Sequence, residues 1–280
     1  MLPHPRFPRL IPLLASVGLA TAAGLWWSRY QAHRQLRRKV AQLFAQAEPS
    51  PEVYVEARLA GLPAPVQRYF RHVLREGQPY LSGLRLRHTG QFKTDLKKDW
   101  LSIEGEQYST ANPPGFIWQG TTRLFTAQDE YLDGHGRLAV RLLGAIPLMQ
   151  GEGIRYDQGE LLRWLGECVW LPTALLPAPH LRWTAAPDDH SAHLTLTHHG
   201  QTVSYLVRFN EQDGMVQCET QRYQGDTTLL PWVGRFSRYR VLHGVRVPTR
   251  LEASWVVDGQ RLPYARFRVL ELAYHELHLF

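Results

Sequence analysis

Cysteine is nearly missing: the 280 residues hold two, Cys168 and Cys218. Two thiols cannot build a disulfide scaffold or a four-thiolate zinc site. They read as small buried hydrophobes, with a single disulfide between them as the alternative. Acid is missing from the N-terminus, where no Asp or Glu precedes Glu48 and seven of the 32 Lys and Arg residues fall. That leaves 25 basic and 25 acidic residues, so the net charge of +7 belongs to the N-terminal segment and the body is neutral. A nucleic-acid-binding domain carries its basic face on the folded body, so no nucleic-acid partner is expected. Long apolar runs are missing except at residues 10–28, which excludes a polytopic membrane protein. The chain has no G-x-S-x-G elbow and no H-E-x-x-H pair, and Gly134-His135-Gly136 lacks the Lys and helix start of a phosphate loop. No strand–helix–strand alternation calls for a parallel sheet. What is abundant is aromatic: nine Trp, twelve Tyr and ten Phe in a chain that is 44% hydrophobic. That composition excludes a disordered polymer and supports a sizeable core.

Residues 10–28, LIPLLASVGLATAAGLWWS, form an uncharged run that would span about 28 Å as a helix, close to a bilayer core. Trp26 and Trp27 stand at its end, where amphipathic rings favour the membrane interface. A cleaved signal peptide is the competing reading, with an A-x-A-like site at Ala20-Thr21-Ala22. The Trp pair and the lack of a polar stretch after that site favour an anchor. Five basic residues follow the run and two precede it, which by the charge rule puts the body in the cytoplasm. Residues 29–60 read as a basic helical tether and linker, rich in helix formers and broken by Glu48-Pro49-Ser50-Pro51.

Residues 61–280 form the body. Val66, Tyr69, Phe70, Val73 and Leu74 make one apolar stripe on a short helix with Pro near its start. From Leu84 the period changes to two: Leu84, Leu86, His88, Gly90 and Phe92 alternate with Arg85, Arg87, Thr89 and Gln91. About eleven such strands follow, joined by short turns. Asn210 to Gly214 and Asp258-Gly259 are hairpin signals. One helix interrupts them near residues 157–168 with Leu161, Trp164, Leu165 and Cys168 on one face, and Pro172 kinks or ends it. The fold class is α+β, a curved antiparallel sheet wrapped around a mid-chain helix, preceded by a transmembrane helix.

Leu62-Pro63-Ala64-Pro65-Val66-Gln67-Arg68-Tyr69, Trp100, Gln107-Tyr108 and Pro114-Gly115-Phe116-Ile117-Trp118 together resemble an uncharacterised bacterial domain family. So do Leu162-Arg163-Trp164-Leu165-Gly166-Glu167, Trp170-Leu171-Pro172-Thr173-Ala174-Leu175 and Pro263-Tyr264-Ala265-Arg266-Phe267. The likeness covers residues 60–275. Members of that family look like membrane-tethered relatives of the lipoprotein-carrier half-barrel, in which a curved sheet leaves an apolar cavity around helices. This implies a lipid, an acyl chain or a lipidated partner as ligand, and no cofactor. It also implies a body on the outer side of a bacterial inner membrane, held by a single span. Here the resemblance opposes the charge rule, and the envelope reading is preferred.

The mid-chain helix is the leading functional element. Arg163 and Glu167 lie four apart, so their side chains can meet; they would either orient the helix or bind a polar ligand head, a surface ion pair being the plain alternative. Trp100, Tyr108, Trp118, Trp164 and Trp170 are candidates to line the cavity, or else to fill the core. Trp164 and Trp170 are expected to be buried against strand residues such as Trp118. Glu152, Asp157, Glu160 and Glu167 surround the helix, and a carboxylate enzyme or a ligand-free interaction module remains an alternative function. His190, His193, His198 and His199 make a poor metal site, because in a strand His193 and His199 share one face and His198 lies on the other.

Overall fold

A computed structural model describes residues 10–225 and 228–280, with side chains from residue 22 onward. Among the described residues thirteen strands form one antiparallel sheet, against about eleven expected from the sequence pattern. They are β1 Gly83–Phe92, β2 Leu101–Thr110, β3 Gly115–Thr121, β4 Phe125–Leu132, β5 His135–Leu142, β6 Ile146–Glu152 and β7 Leu181–Ala185. β8 Ser191–His198, β9 Gln201–Phe209, β10 Met215–Gln224, β11 Thr228–Leu242, β12 Val245–Val257 and β13 Gln260–Tyr274 complete it. The order is β6-β5-β4-β3-β2-β1-β13-β12-β11-β10-β9-β8-β7, two meanders joined by the pairing of β1 with β13. The strand missing from the sequence reading is β6, an edge strand with Pro147 inside it and six of its seven residues exposed. Such a strand shows no inward alternation, and an edge tolerates proline.

Three helices accompany the sheet: α1 Leu10–Ala45, α2 Ala64–Val73 and α3 Ile154–Glu167. Short 3-10 turns continue α3 at Cys168–Trp170 and, after Leu171, at Pro172–Leu175. In α2 the apolar stripe is fully used: Val66, Tyr69, Phe70 and Val73 are all buried, packed toward β8 and β12.

The sheet is open but strongly curved. α3 packs on β4, β5 and β6 from one meander and on β9 and β10 from the other. Tyr131 on β4 shares a 2.8 Å hydrogen bond with His198 Nδ1 on β8, although eight strands lie between these two in the order. Only a sheet curled around the helix can bring those strands together, so α3 sits on the concave side as its apolar face requires. Tyr205 reinforces this by donating its hydroxyl to Leu162 O at 3.0 Å.

The C-terminal half of α1 lies on the convex face. Leu36, Val40, Leu43 and Phe44 are buried there with Tyr108 and Ile117, alongside Leu277, Leu279 and Phe280 from the chain end. Lys39 Nζ contacts Glu130 Oε2 at 2.6 Å. The basic tether of residues 29–60 is thus partly a docked helix with its own apolar stripe. Among the described residues no helix is long and apolar enough to cross a membrane. The side chains of residues 10–21, most of the run assigned to the bilayer, lie outside the described residues, as do residues 1–9.

Trp164 is 2% exposed and its indole donates to Thr110 O at 2.9 Å. Replacing it with Ala removes a large core side chain together with its hydrogen bond to that carbonyl, so the protein is expected to lose about 3–5 kcal/mol. Equilibrium urea unfolding of the variant measures this.

Candidate functional site

A cavity of about 570 Å³ lies between α3 and the inner face of the sheet. One wall is apolar: Ile103, Phe236, Leu251, Ala253 and Phe267 from β2, β11, β12 and β13. The other is polar, with Asp129 from β4, Glu160, Arg163 and Glu167 from α3, and Arg222 from β10. Leu148 and Met149 of β6 mark the rim and are 57% and 47% exposed. A more open hollow of about 760 Å³ lies over the convex face between Arg235, Arg250, Arg266 and Arg268. It lacks enclosing walls, and the chemistry concentrates on the concave side.

Trp118, Arg163 and Glu167 meet at the cavity. Arg163 donates Nε to Glu167 Oε1 at 3.0 Å and pairs through its other arm with Asp129. Gln107 Nε2 holds the second Glu167 oxygen at 2.7 Å. The Arg163 guanidinium also lies 4.7 Å from the Trp118 ring centre, a cation–π distance. Burial works against the Arg163 charge, but Glu167 and Asp129 outweigh it and raise its pKa. The Arg163–Glu167 pair is therefore part of a largely buried three-residue cluster between helix and sheet, not the surface ion pair that was the plain alternative.

Trp118 owes its position to two glycines. Its indole crosses β2 at Gly105 and donates to His88 Nε2 on β1 at 2.7 Å. A Cβ at Gly105 would stand 2.2 Å from the His88 ring, and one at Gly120 2.3 Å from the Trp118 ring. Accepting that bond places the imidazole proton on Nδ1, and burial pushes the His88 pKa down to about 3, keeping the ring neutral.

The other aromatic candidates lie elsewhere. Trp164 and Trp170 are buried as expected, but Trp118 faces Arg163 rather than either of them. Trp170 donates to Pro248 O at 2.9 Å in the packed core. Tyr108 points to the convex face and donates to Glu106 Oε2 at 2.8 Å under α1. Trp100 sits between the cations of Lys93 and Arg266, 5.1 and 4.7 Å away. Strand parity directs Tyr108 away from the cavity, and Trp164 lies on the face of α3 that is bonded to Thr110 O. Cys168 and Cys218 are buried and unpaired, and burial pushes the Cys218 thiol up to about 12.

Two cavity residues escape sequence reasoning, Asp129 and Arg222, and they are joined there by Glu160, which the sequence offered only as a carboxylate of the alternative enzyme reading. A signal existed for Asp129, which takes an inward position in the alternation Phe125, Ala127, Asp129, Tyr131. Arg222 shares the inward parity of Cys218 on β10. Glu160 is only 7% exposed and its Oε2 has no partner. Burial, then the Asp129 charge, pushes its carboxyl up to about 8.

The fold and site thus define an open antiparallel sheet curled around one helix, with a partly open cavity that is apolar on the sheet side and charged on the helix side. Residues 52–267 match the family of unknown function DUF6544, and the chain belongs to that family. No curated protein matches it. Among solved structures it is similar to a LolA superfamily protein from Nitrosomonas europaea, with 11% identity, a TM-score of 0.43, and coverage of 78% of this chain and 95% of that one. It is also similar to an outer membrane lipoprotein-sorting protein domain from Vibrio parahaemolyticus, at 8% identity, TM-score 0.42, and coverage of 76% and 91%. A DUF1329 family protein from Desulfovibrio piger gives 10%, 0.36, 76% and 91% for the same measures. These superpositions are loose, and no ligand or residue role is carried over from them.

The Glu160 carboxyl predicts a pH dependence. Unfolded it ionises near 4.5, whereas folded it keeps its proton to about 8. Across that window the folded state binds the extra proton, so this group's contribution to stability falls as pH rises. Glu160→Gln removes the contribution. The melting temperature of the variant should therefore fall less than that of the native protein between pH 5 and pH 8, as differential scanning fluorimetry would show.

Proposed function

We propose that the protein binds a lipid, an acyl chain or a lipidated partner in the concave cavity. The observation that carries this reading is the partly open cavity of about 570 Å³ with an apolar wall on β11–β13. That volume lies within the range of small-molecule sites, which are mostly apolar with a few placed polar groups. The charged wall supports binding better than hydrolysis, because Asp129 and Glu167 are both engaged by Arg163.

The N-terminal segment is proposed to anchor the body to a bacterial inner membrane from the outer side. Trp26, Trp27 and Tyr30 are exposed on α1, with Trp26 and Tyr30 stacked at 5.6 Å, next to the basic residues that follow. Aromatic rings and cations in that order suit a headgroup layer.

Lipid extracted from the purified full-length chain and identified by mass spectrometry tests the ligand reading. Native protein should carry lipid in near-stoichiometric amount. Ala253→Trp projects an indole into the space, so it should abolish that lipid while changing the melting temperature little. An equally loaded variant would mean that the lipid sits elsewhere. For topology, alkaline phosphatase fused after Phe280 should be active and green fluorescent protein exported unfolded should be dark. The opposite pattern would place the body in the cytoplasm.

A further inference from the structure

The two guanidinium groups on the cavity wall are not equivalent. Arg163 is neutralised by Asp129 and Glu167. Arg222 has no carboxylate in contact among the described residues. Its NH2 donates to Gly159 O at 2.9 Å, its guanidinium lies 5.4 Å from the Trp232 ring centre, and its Nε is buried without an acceptor. Glu160, next in sequence to Gly159, is also buried, and its Oε2 has no partner. Both residues line the same cavity. A half-buried guanidinium whose Nε is shut off from water without an acceptor is costly, and so is a buried carboxyl without a hydrogen bond. One group placed between them would satisfy both.

We propose that the cavity binds a single-chain amphiphile through a carboxylate head, held by Arg222 and the Glu160 carboxyl, with its alkyl chain along Phe236, Leu251 and Phe267. This rests on the ligand-binding reading above and names the ligand's chemical class. A carboxylate accepts from a guanidinium in the plane of its fork. Its second oxygen accepts the Glu160 hydroxyl, a carboxylic acid and a carboxylate sharing one proton. Burial keeps Glu160 protonated at neutral pH and able to donate. Lys98, the other cation on the cavity lining, is exposed at the mouth and has no part in this contact.

The test uses two photoreactive probes with the same sixteen-carbon chain and diazirine position, one ending in a carboxylate and one in an alcohol. Each is crosslinked to the full-length chain and competed with unlabelled palmitate or hexadecanol, and labelled peptides are mapped by mass spectrometry. Labelling on β11–β13 with at least roughly tenfold tighter apparent affinity for the acid is expected. Arg222→Met should bring the acid down to the alcohol's affinity and leave alcohol labelling unchanged, while Arg222→Lys should restore part of the preference. Alcohol labelling of the cavity by Arg222→Met also reports that the variant is folded. Equal affinity of the two probes for native protein would overturn the carboxylate assignment and leave the cavity reading standing. An acid preference that survives Arg222→Met would overturn the role of Arg222. Failure of both probes to label the cavity would remove the ligand-binding reading, and this assignment with it.

Discussion

Arg163 is the point at which helix and sheet become one body. Its guanidinium joins α3 to β4 through Asp129, and Glu167 joins the same helix to β2 through Gln107. A buried charge is tolerated only where its partners satisfy it, and loss of one partner typically costs about 3–5 kcal/mol. The helix must therefore stay where both carboxylates reach. On the opposite flank Tyr205 and Arg222 grip the carbonyls of Leu162 and Gly159. With α3 held from both meanders, the sheet has to curl around it, and the bond between Tyr131 and His198 is a consequence of that curl.

The cavity follows from the same constraint. A helix face that carries Glu160, Arg163 and Glu167 cannot pack against Leu251 and Phe267, because charged groups pressed on an apolar surface would lose their solvation without gaining partners. The space between the two walls remains open instead. Its β1–β3 side is kept smooth by Gly105 and Gly120, which let His88 and Trp118 lie flat across neighbouring strands. The molecule thus combines a rigid, well-paired polar cluster with buried Glu160 and half-buried Arg222, each with a buried polar atom that has capacity to spare.

Much of the architecture was legible. The stripe Val66, Tyr69, Phe70 and Val73 gave α2, the alternation after Leu84 gave β1, and the face Leu161, Trp164 and Leu165 placed α3 against a sheet. Asp258-Gly259 marked a hairpin, and both residues do adopt positive φ, 51° and 73°. β6 was not legible because an exposed edge strand has no buried face to print an alternation. The first half of β11 was obscured by Pro231. At the site, the spacing of Arg163 and Glu167 announced a contact but not its burial, since the residues that bury it lie on β2, β3 and β4.

The aromatic residues show where local pattern ends. Trp118, Trp164 and Trp170 look alike in the sequence, each a large ring in an apolar stretch, and all three are buried. Only Trp118 borders the cavity. Periodicity assigns a side chain to a face of its own element, because a strand repeats every two residues and a helix every 3.6. Strand composition, the antiparallel meander, the amphipathic helices and the charge segregation at the N-terminus are properties of that local kind, and the sequence alone determined them. Whether an inward residue meets another side chain or an open space depends on strand order and curvature, which bring Asp129, Glu160 and Arg222 together from nearly a hundred positions apart. Only the tertiary structure decided that, because a contact between distant segments has no period for a sequence to display.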